Sequence, residues 1–495
     1  MITIDINLVL IIIAFTWHYS LFCGYISDDH AAVAQRTDII PDEEKKDRNE
    51  SFWVKRFNDG IVMFYQTRLF WALGLKEKPF FWHLFSLGVH LANTFLLYTF
   101  LAPILGNSIA LYTCAFWGIN PMLNQNVVWI SGRPYLLGTF FALVAMNCWQ
   151  NPLVFVPYYM LAVVTNISIL FVPVLLWAIH PDEWQPKAYL ITMVLGAFPF
   201  LCWKFHKRFM NGLVIDRDNF NLKLRKANVF ARIYIYYIFT LFVPTKMGWY
   251  HQAGFRYNQS WEKFNYITFS GYLLIGIMFW KFPLAATWFI LGLIPNSNVY
   301  STNSFLQDRY LYFSSIGIAI LVAPYLVAHP ALFYCAITFY ATRAYMYSRC
   351  MKDDEKLYRE NWRNHPKSDY AINNLSYFLL QHRRYDEARV VIDYGLNVNP
   401  QNRMLWYNLG ITHMSQGNFS NDEGKYRFIK ALDCFKTALR IEPRWAKPAE
   451  SMKNLIQILV DKKVITFNPQ EALGGTNGNA EQVKEAKPAE ASTSA

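Results

Sequence analysis

The sequence predicts an all-α protein: a polytopic transmembrane helical bundle of about eleven or twelve spans followed by a short α-solenoid of helical repeats. Three observations predict it. Of the 495 residues 54% are apolar and 18% aromatic, with the apolar residues gathered in runs long enough to cross a bilayer. Aromatics such as Trp82, Trp117, Trp129, Trp149, Trp203 and Trp280 stand at the ends of those runs, where interfacial anchors belong. At Ser348-Arg-Cys-Met-Lys-Asp-Asp-Glu355 the chain turns soluble and repetitive. The boundaries read as 1–347 for the membrane domain, with a first extramembrane loop at 28–78, then 348–465 for the repeats and 466–495 for a disordered tail. The net charge of +12 is spread over loops between apolar runs, which fits anionic lipid headgroups and phosphates as partners and not nucleic acid. Seven isolated cysteines with no C-x-x-C indicate neither a disulfide framework nor a zinc site.

The first apolar run, Ile6 to Phe22, is long enough to cross at about 1.5 Å per residue. It has no basic leader and no small-residue cleavage site after it, so it is expected to stay as an anchor. It ends in Cys23-Gly-Tyr-Ile-Ser-Asp-Asp-His30, which puts Asp28 and Asp29 where a helix leaves the membrane. Two neighbouring carboxylates beside hydrocarbon raise one another's pKa, which suits proton transfer or cation binding; a solvated acidic loop is the plain alternative. The polar loop that follows has a mixed-charge run, Pro41 to Glu50. Its amphipathic second half carries Phe57, Ile61, Phe64, Tyr65 and Leu69 at helical spacing.

The second span, Phe80 to Leu101, holds His83, His90 and Asn93, with the two histidines on one face; interhelical hydrogen bonding is the simpler reading and a metal site the sharper one. A short span from Ser108 to Ile119, the loop Asn120 to Asn126 and a span from Pro134 to Trp149 follow. Arg133 sits at that helix mouth beside Gly132, as either a phosphate fork or a topology-setting arginine. Leu153 to Ile179 reads as two short helices broken near Thr165-Asn166. Tyr189 to Trp203 and Val229 to Val243 flank a basic loop; the positive-inside rule sends that loop to the cytoplasm, and simple alternation of spans sends it outside. Phe264 to Lys281, Leu284 to Ile294 and Phe313 to Val327 are further apolar runs, and Ala331 to Ala341 is a last one. Asp308 and Arg309 open the third of these, as a local ion pair or as a second acid and a second phosphate ligand.

In the soluble part Asn374-Leu375 recurs as Asn408-Leu409, at about 34 residues, the tetratricopeptide interval. Ala388 and Ala431, and Pro400 and Pro443, recur at a longer interval, which puts an insertion near Gly417 to Gly424. Lys453 to Val464 supplies a terminal capping helix.

Taken together, Tyr25-Ile-Ser-Asp-Asp-His30, the His83 to His90 span with Asn93, Gly132-Arg-Pro-Tyr-Leu-Leu137 with Pro121, Asp308-Arg-Tyr-Leu-Tyr312 and the terminal repeats resemble, in this order, the transmembrane-and-tetratricopeptide O-mannosyltransferase-like proteins of the GT-C superfamily. Two departures stand out. The chain reads Thr165-Asn-Ile167 where that family has a Lys-Glu pair, and it carries only about two repeats. The resemblance implies a GT-C-like membrane domain and transfer of a mannose-like sugar from a polyprenyl-phosphate donor to a hydroxyl on the non-cytoplasmic face. It implies Asp28 or Asp29, with Asp29 preferred, as the base, and Arg133 and Arg309 on the donor phosphate. His30, His83, His90, Asp308 and Tyr310 would line the site, with no certain cofactor and a divalent metal as an option. A protein or peptide acceptor would lie in the repeats, which requires an odd number of crossings and so favours eleven. Tail composition favours a bacterial inner membrane, with the endoplasmic reticulum as the alternative. A non-catalytic membrane scaffold recruiting a partner through its repeats is the competing reading, and a transporter, which would need charge deep in several spans, comes last.

Overall fold

The computed structural model describes residues 4–30, 33, 61–180, 220–245, 247–248, 265–297 and 306–464. Among these residues the chain is helical throughout, with no strand. It divides into two compact units, Met1–Phe378 and Leu379–Ala495. The compositional change at Ser348 therefore lies inside the first unit. The mixed-charge run at 41–50, the run at 189–203, the first part of the basic loop up to 219 and the tail beyond 465 lie outside the described residues, while the rest of that loop, from Phe220, is helical.

The first unit begins with α1 (Ile6–Trp17), capped by the Asp5 carboxylate on Leu8 N and continued by a 3-10 turn over His18–Phe22. Then come α2 (Ile61–Ala72), α3 (Pro79–Leu105) and α4 (Asn107–Gly118). After short turns at Pro121–Leu123 and Asn124–Val127 follow α5 (Arg133–Asn147), α6 (Pro152–Thr165) and α7 (Val172–Ile179). The break before α7 has a local cause: Asn166 turns to extended backbone and its side chain accepts from Ser168 N at 3.1 Å. The remaining helices are α8 (Phe220–Phe242), α9 (Tyr266–Lys281), α10 (Pro283–Leu293), α11 (Leu311–Ala328), α12 (Pro330–Cys350) and α13 (Asp354–Asn364). Four begin on proline and two more carry it second, where its missing N–H costs nothing in a first turn.

Two of these helices are long and apolar enough to cross a membrane, Pro79–Leu105 and Asp308–Ala328. A third span results if the pair Pro121–Val127 and Ile130–Asn147, bent by 95° at its break, counts as one. Shorter apolar helices, among them Ile6–Phe22, Pro152–Thr165 and Pro283–Asn296, accompany them. The helices lie close to the predicted runs, but the final run extends well past Ala341, to Cys350.

Helix α3 packs on α1, α4 and α5, and α11 packs on α4 and α10. One buried polar network ties these layers together. His90 on α3 meets Gly118 O through Nε2 at 2.9 Å and the Tyr312 hydroxyl through Nδ1 at 2.7 Å. A carbonyl only accepts, so Nε2 carries the proton and Nδ1 accepts from Tyr312. The Asn93 amide donates to the Tyr312 oxygen and to Leu136 O, both at 3.0 Å. Trp17 and Trp117 donate to Gly118 O and Tyr312 O at 2.7 and 3.0 Å. In a low-dielectric core such groups are costly unless partnered, so the network fixes how five helices meet.

The second unit contains Tyr385–Val398, Arg403–Gln416, Asp422–Ile441 and Ala446–Asp461. Its core is Phe428, Ala431, Leu432, Phe435, Leu455 and Leu459. The second and third of these helices pack closely because Gly410 leaves room for the Phe435 ring, which a Cβ would meet at 2.5 Å. Asn402 caps one helix on Met404 N and Leu405 N, and Asn421 caps the next on Gly424 N.

Close approach of α11 to α10 depends in the same way on Gly317, where a Cβ would run into Ala285 O and Phe289 N. Gly317→Ala is expected to destabilise the purified protein by about 1–3 kcal/mol in thermal unfolding. Gly88→Ala, with nothing within 4 Å of the added carbon, is expected to be neutral or slightly stabilising.

Candidate active site

The two aspartates after the first helix face opposite ways. Ser27 takes a left-handed backbone (φ 51°), rare for a residue with a Cβ, and its N–H donates to the Asp354 carboxylate at 2.6 Å. Past this turn Asp28 is exposed and Asp29 is fully buried. Asp29 Oδ1 accepts from the Ser131 N–H at 2.8 Å and from the Ser131 hydroxyl at 2.5 Å, and its Oδ2 accepts from Ile26 N at 3.3 Å. Burial pushes the Asp29 carboxyl up to about 6, against the opposing pull of the Ser131 and Ile26 donors and of the Arg133 charge. The nearby Tyr25 phenol is pushed up to about 12, by burial and then by the Asp29 charge, and donates to Lys76 O at 2.5 Å.

Ser131 and Arg133 come from the elbow between the two bent helices. Gly132 permits the elbow, since a Cβ there would strike Gln125 O. Arg133 is buried, donates through Nε to Ile130 O at 2.7 Å, and lies over the Trp82 ring at 4.5 Å. Arg309, half-buried, lies over Trp129 at 5.1 Å. Its backbone is held by the polar turn: Arg309 N donates to Gln125 Oε1 at 3.3 Å and Asn126 Nδ2 donates to Arg309 O at 3.0 Å. The elbow thus carries one arginine and seats the other.

The remaining predicted site residues divide. His30 pairs with Asp354 at 3.0 Å, outside the buried cluster. His83 Nε2 reaches Gly24 O at 3.4 Å and so borders the Asp29 loop, while its Nδ1 is buried with no hydrogen-bond partner among the described residues. His90 belongs to the helix-joining network around Tyr312. Asp308 is buried and its Oδ2 accepts from Gly248 N at 3.3 Å. Tyr310 is buried beside Tyr135, with ring centroids 6.2 Å apart. Among the described residues no three His, Cys, Asp or Glu side chains gather as a metal ion would require.

Sequence reasoning gives no site role to Ser131, Trp82, Gln125 or Asp354, and Trp82, expected at an interface, is fully buried. The run Asn124-Gln-Asn126 between apolar segments was the available signal for the buried clamp. Nothing local marks Ser131 or Asp354, whose partners are distant in sequence. A buried carboxylate with a raised pKa, hydrogen-bonded to a serine hydroxyl and subject to the Arg133 charge, can take a proton from a weak acid, and the arginine can counter a nearby anion. Comparison with models of known families, with curated proteins and with solved structures finds no match to this chain.

The sign of the Asp29 effect on stability follows from its raised pKa. The fold favours the neutral acid, so the contribution is fully present below the ordinary value of 3.8 and is lost as pH rises through about 6. Asp29→Asn is expected to gain on wild type in melting temperature between those limits, by the equivalent of about 1–3 kcal/mol. Parallel melting curves from pH 4 to pH 7 would refute it. Ser131→Ala removes a donor to the charged form and is expected to move that transition to higher pH.

Proposed function

We propose that the chain is a membrane glycosyltransferase of GT-C type that transfers a mannose-like sugar from a polyprenyl-phosphate donor to a hydroxyl of a protein or other acceptor, on the non-cytoplasmic face. In this reading the apolar helices form a polytopic bundle and the C-terminal helices a short tetratricopeptide stack that holds the acceptor. The observation that carries it is Asp29, buried at the end of an apolar helix and hydrogen-bonded to Ser131 within reach of the Arg133 charge. A base with a pKa of about 6 is ionised at neutral pH yet basic enough to take a hydroxyl proton as the bond to the sugar forms. The leaving lipid phosphate gains negative charge, and Arg133 and Arg309 are the cations available to meet it. The chemistry accounts for the proton and for the leaving group without any further residue.

One observation favours the scaffold reading. Every described hydrogen bond of Asp29 ties the 23–30 loop to itself or to the elbow, as a purely structural latch would. A transfer assay in reconstituted membranes separates the two. Wild-type protein receives a polyprenyl-phosphate mannose donor and an acceptor extract, beside Asp29→Asn and Asp28→Asn.

For a catalytic Asp29, transfer is expected to fall by about 10²–10⁴-fold in Asp29→Asn and to change little in Asp28→Asn. The wild-type rate should rise with pH through about 6. Arg133→Lys keeps the charge but loses the stacked fork, and a loss of about tenfold or more is expected. Full transfer by Asp29→Asn would leave the residue a latch.

A further inference from the structure

We infer that the end of the first helix, the start of α3 and the segment joining α12 to α13 form a binding site for a phosphate-bearing lipid, with the phosphate in a basic cavity and the chain in an adjoining aromatic groove. The inference stands whether or not Asp29 is catalytic.

The basic cavity has a volume of about 620 Å³. In its lining Arg349, Lys352, Lys356, Arg359 and Arg363 face one carboxylate, Glu360. Some of this charge is answered locally. Lys356 pairs with Asp353 at 2.8 Å, Arg359 with Glu355 at 2.8 Å, and Arg363 approaches Glu360 at 3.7 Å. Arg349 and Lys352 are exposed, and among the described residues neither has a carboxylate within ion-pair distance. Two cations in one concave site, with three more behind them, are what a phosphate headgroup needs.

The second cavity, of about 600 Å³, is a groove of different character. Phe22, Pro79, Phe80 and Phe81 give it apolar walls, and Lys78 and Lys352 supply its cations. Phe22, Phe80 and Phe81 are 64%, 43% and 40% exposed, which is costly in water and cheap against a hydrocarbon chain. Lys352 lines both cavities, so headgroup site and chain site adjoin.

The location agrees with the chemistry. Phe22 closes an apolar helix, Pro79 opens one of spanning length, and Cys350 closes a third. Gly24 N donates to Lys352 O at 3.0 Å, which ties the first of these ends to the third. Lysines and arginines just past apolar helix ends sit at headgroup depth, where they attract an anionic lipid. A soluble anion would use the basic cavity and leave the aromatic groove without a role, and a zwitterionic lipid would leave the cations unanswered. An anionic lipid uses both.

The test uses the full-length chain, purified in detergent and stripped of lipid. Native mass spectrometry and thermal-shift titration follow binding of dioleoyl phosphatidic acid, dioleoyl phosphatidylcholine and inorganic phosphate. The expected result is one phosphatidic acid per chain, bound at least about tenfold tighter than either other probe, with that affinity cut about tenfold or more in the Arg349→Glu, Lys352→Glu double variant. The Lys447→Glu, Lys453→Glu double variant, an equal change of charge on a surface helix of the second unit, is expected to bind normally. Equal binding of phosphatidylcholine, equal binding of inorganic phosphate, or undiminished binding by the double variant would each overturn the inference. Should that variant misfold, photocrosslinking of wild type with an azide-bearing phosphatidic acid decides. Labelling within 346–363 or at 21–24 and 78–81 is expected, and labelling confined to other segments refutes it.

Discussion

The bond between Asp29 and Ser131 holds together parts of the chain that nothing local would bring near one another. The aspartate belongs to the turn after the first helix, and the serine to the elbow between two helices bent by 95°. Because the carboxylate is fully buried, its three donors are obligatory: remove them and an unsatisfied acceptor remains in a medium that cannot solvate it. The elbow is held from its other side by Gln125 and Asn126 on the Arg309 backbone. Both arginines lie over aromatic faces, Arg133 over Trp82 and Arg309 over Trp129.

The helices themselves were legible in the sequence. Apolar runs bounded by proline and asparagine predict α3, α5, α6, α10 and α11 closely, because in an apolar medium backbone groups must be satisfied within the segment. The break at Asn166 was legible for the same reason, since a side chain able to replace the helical bond ends the helix. The number of crossings was less so. Several apolar helices are shorter than a bilayer requires, and run length alone does not say which of them pair across a bend.

The site was half legible. The acidic pair and the arginines were visible as charges beside hydrocarbon, but which aspartate points inward was not. That choice depends on Ser27 taking a left-handed conformation usually marked by glycine, and on Asp354, far along the chain, receiving its N–H. Histidines in a span looked equivalent on paper, yet His83 borders the Asp29 loop and His90 ties helices together. Periodicity gives the face on which a side chain lies; what it meets there is set by elements hundreds of residues away.

The network around Tyr312 carries a consequence for how the sequence can vary. Its phenol gives its one proton to His90 and takes one from Asn93, and the imidazole gives its own to Gly118 O. Each member has a single direction of donation available. Replacing any one leaves its neighbours with an unanswered donor or acceptor, so single replacements should be strongly non-additive. The three positions behave as one heritable character: drift at one is tolerated only with a matching change at the others, or with replacement of the whole set by apolar residues that fill the same volume.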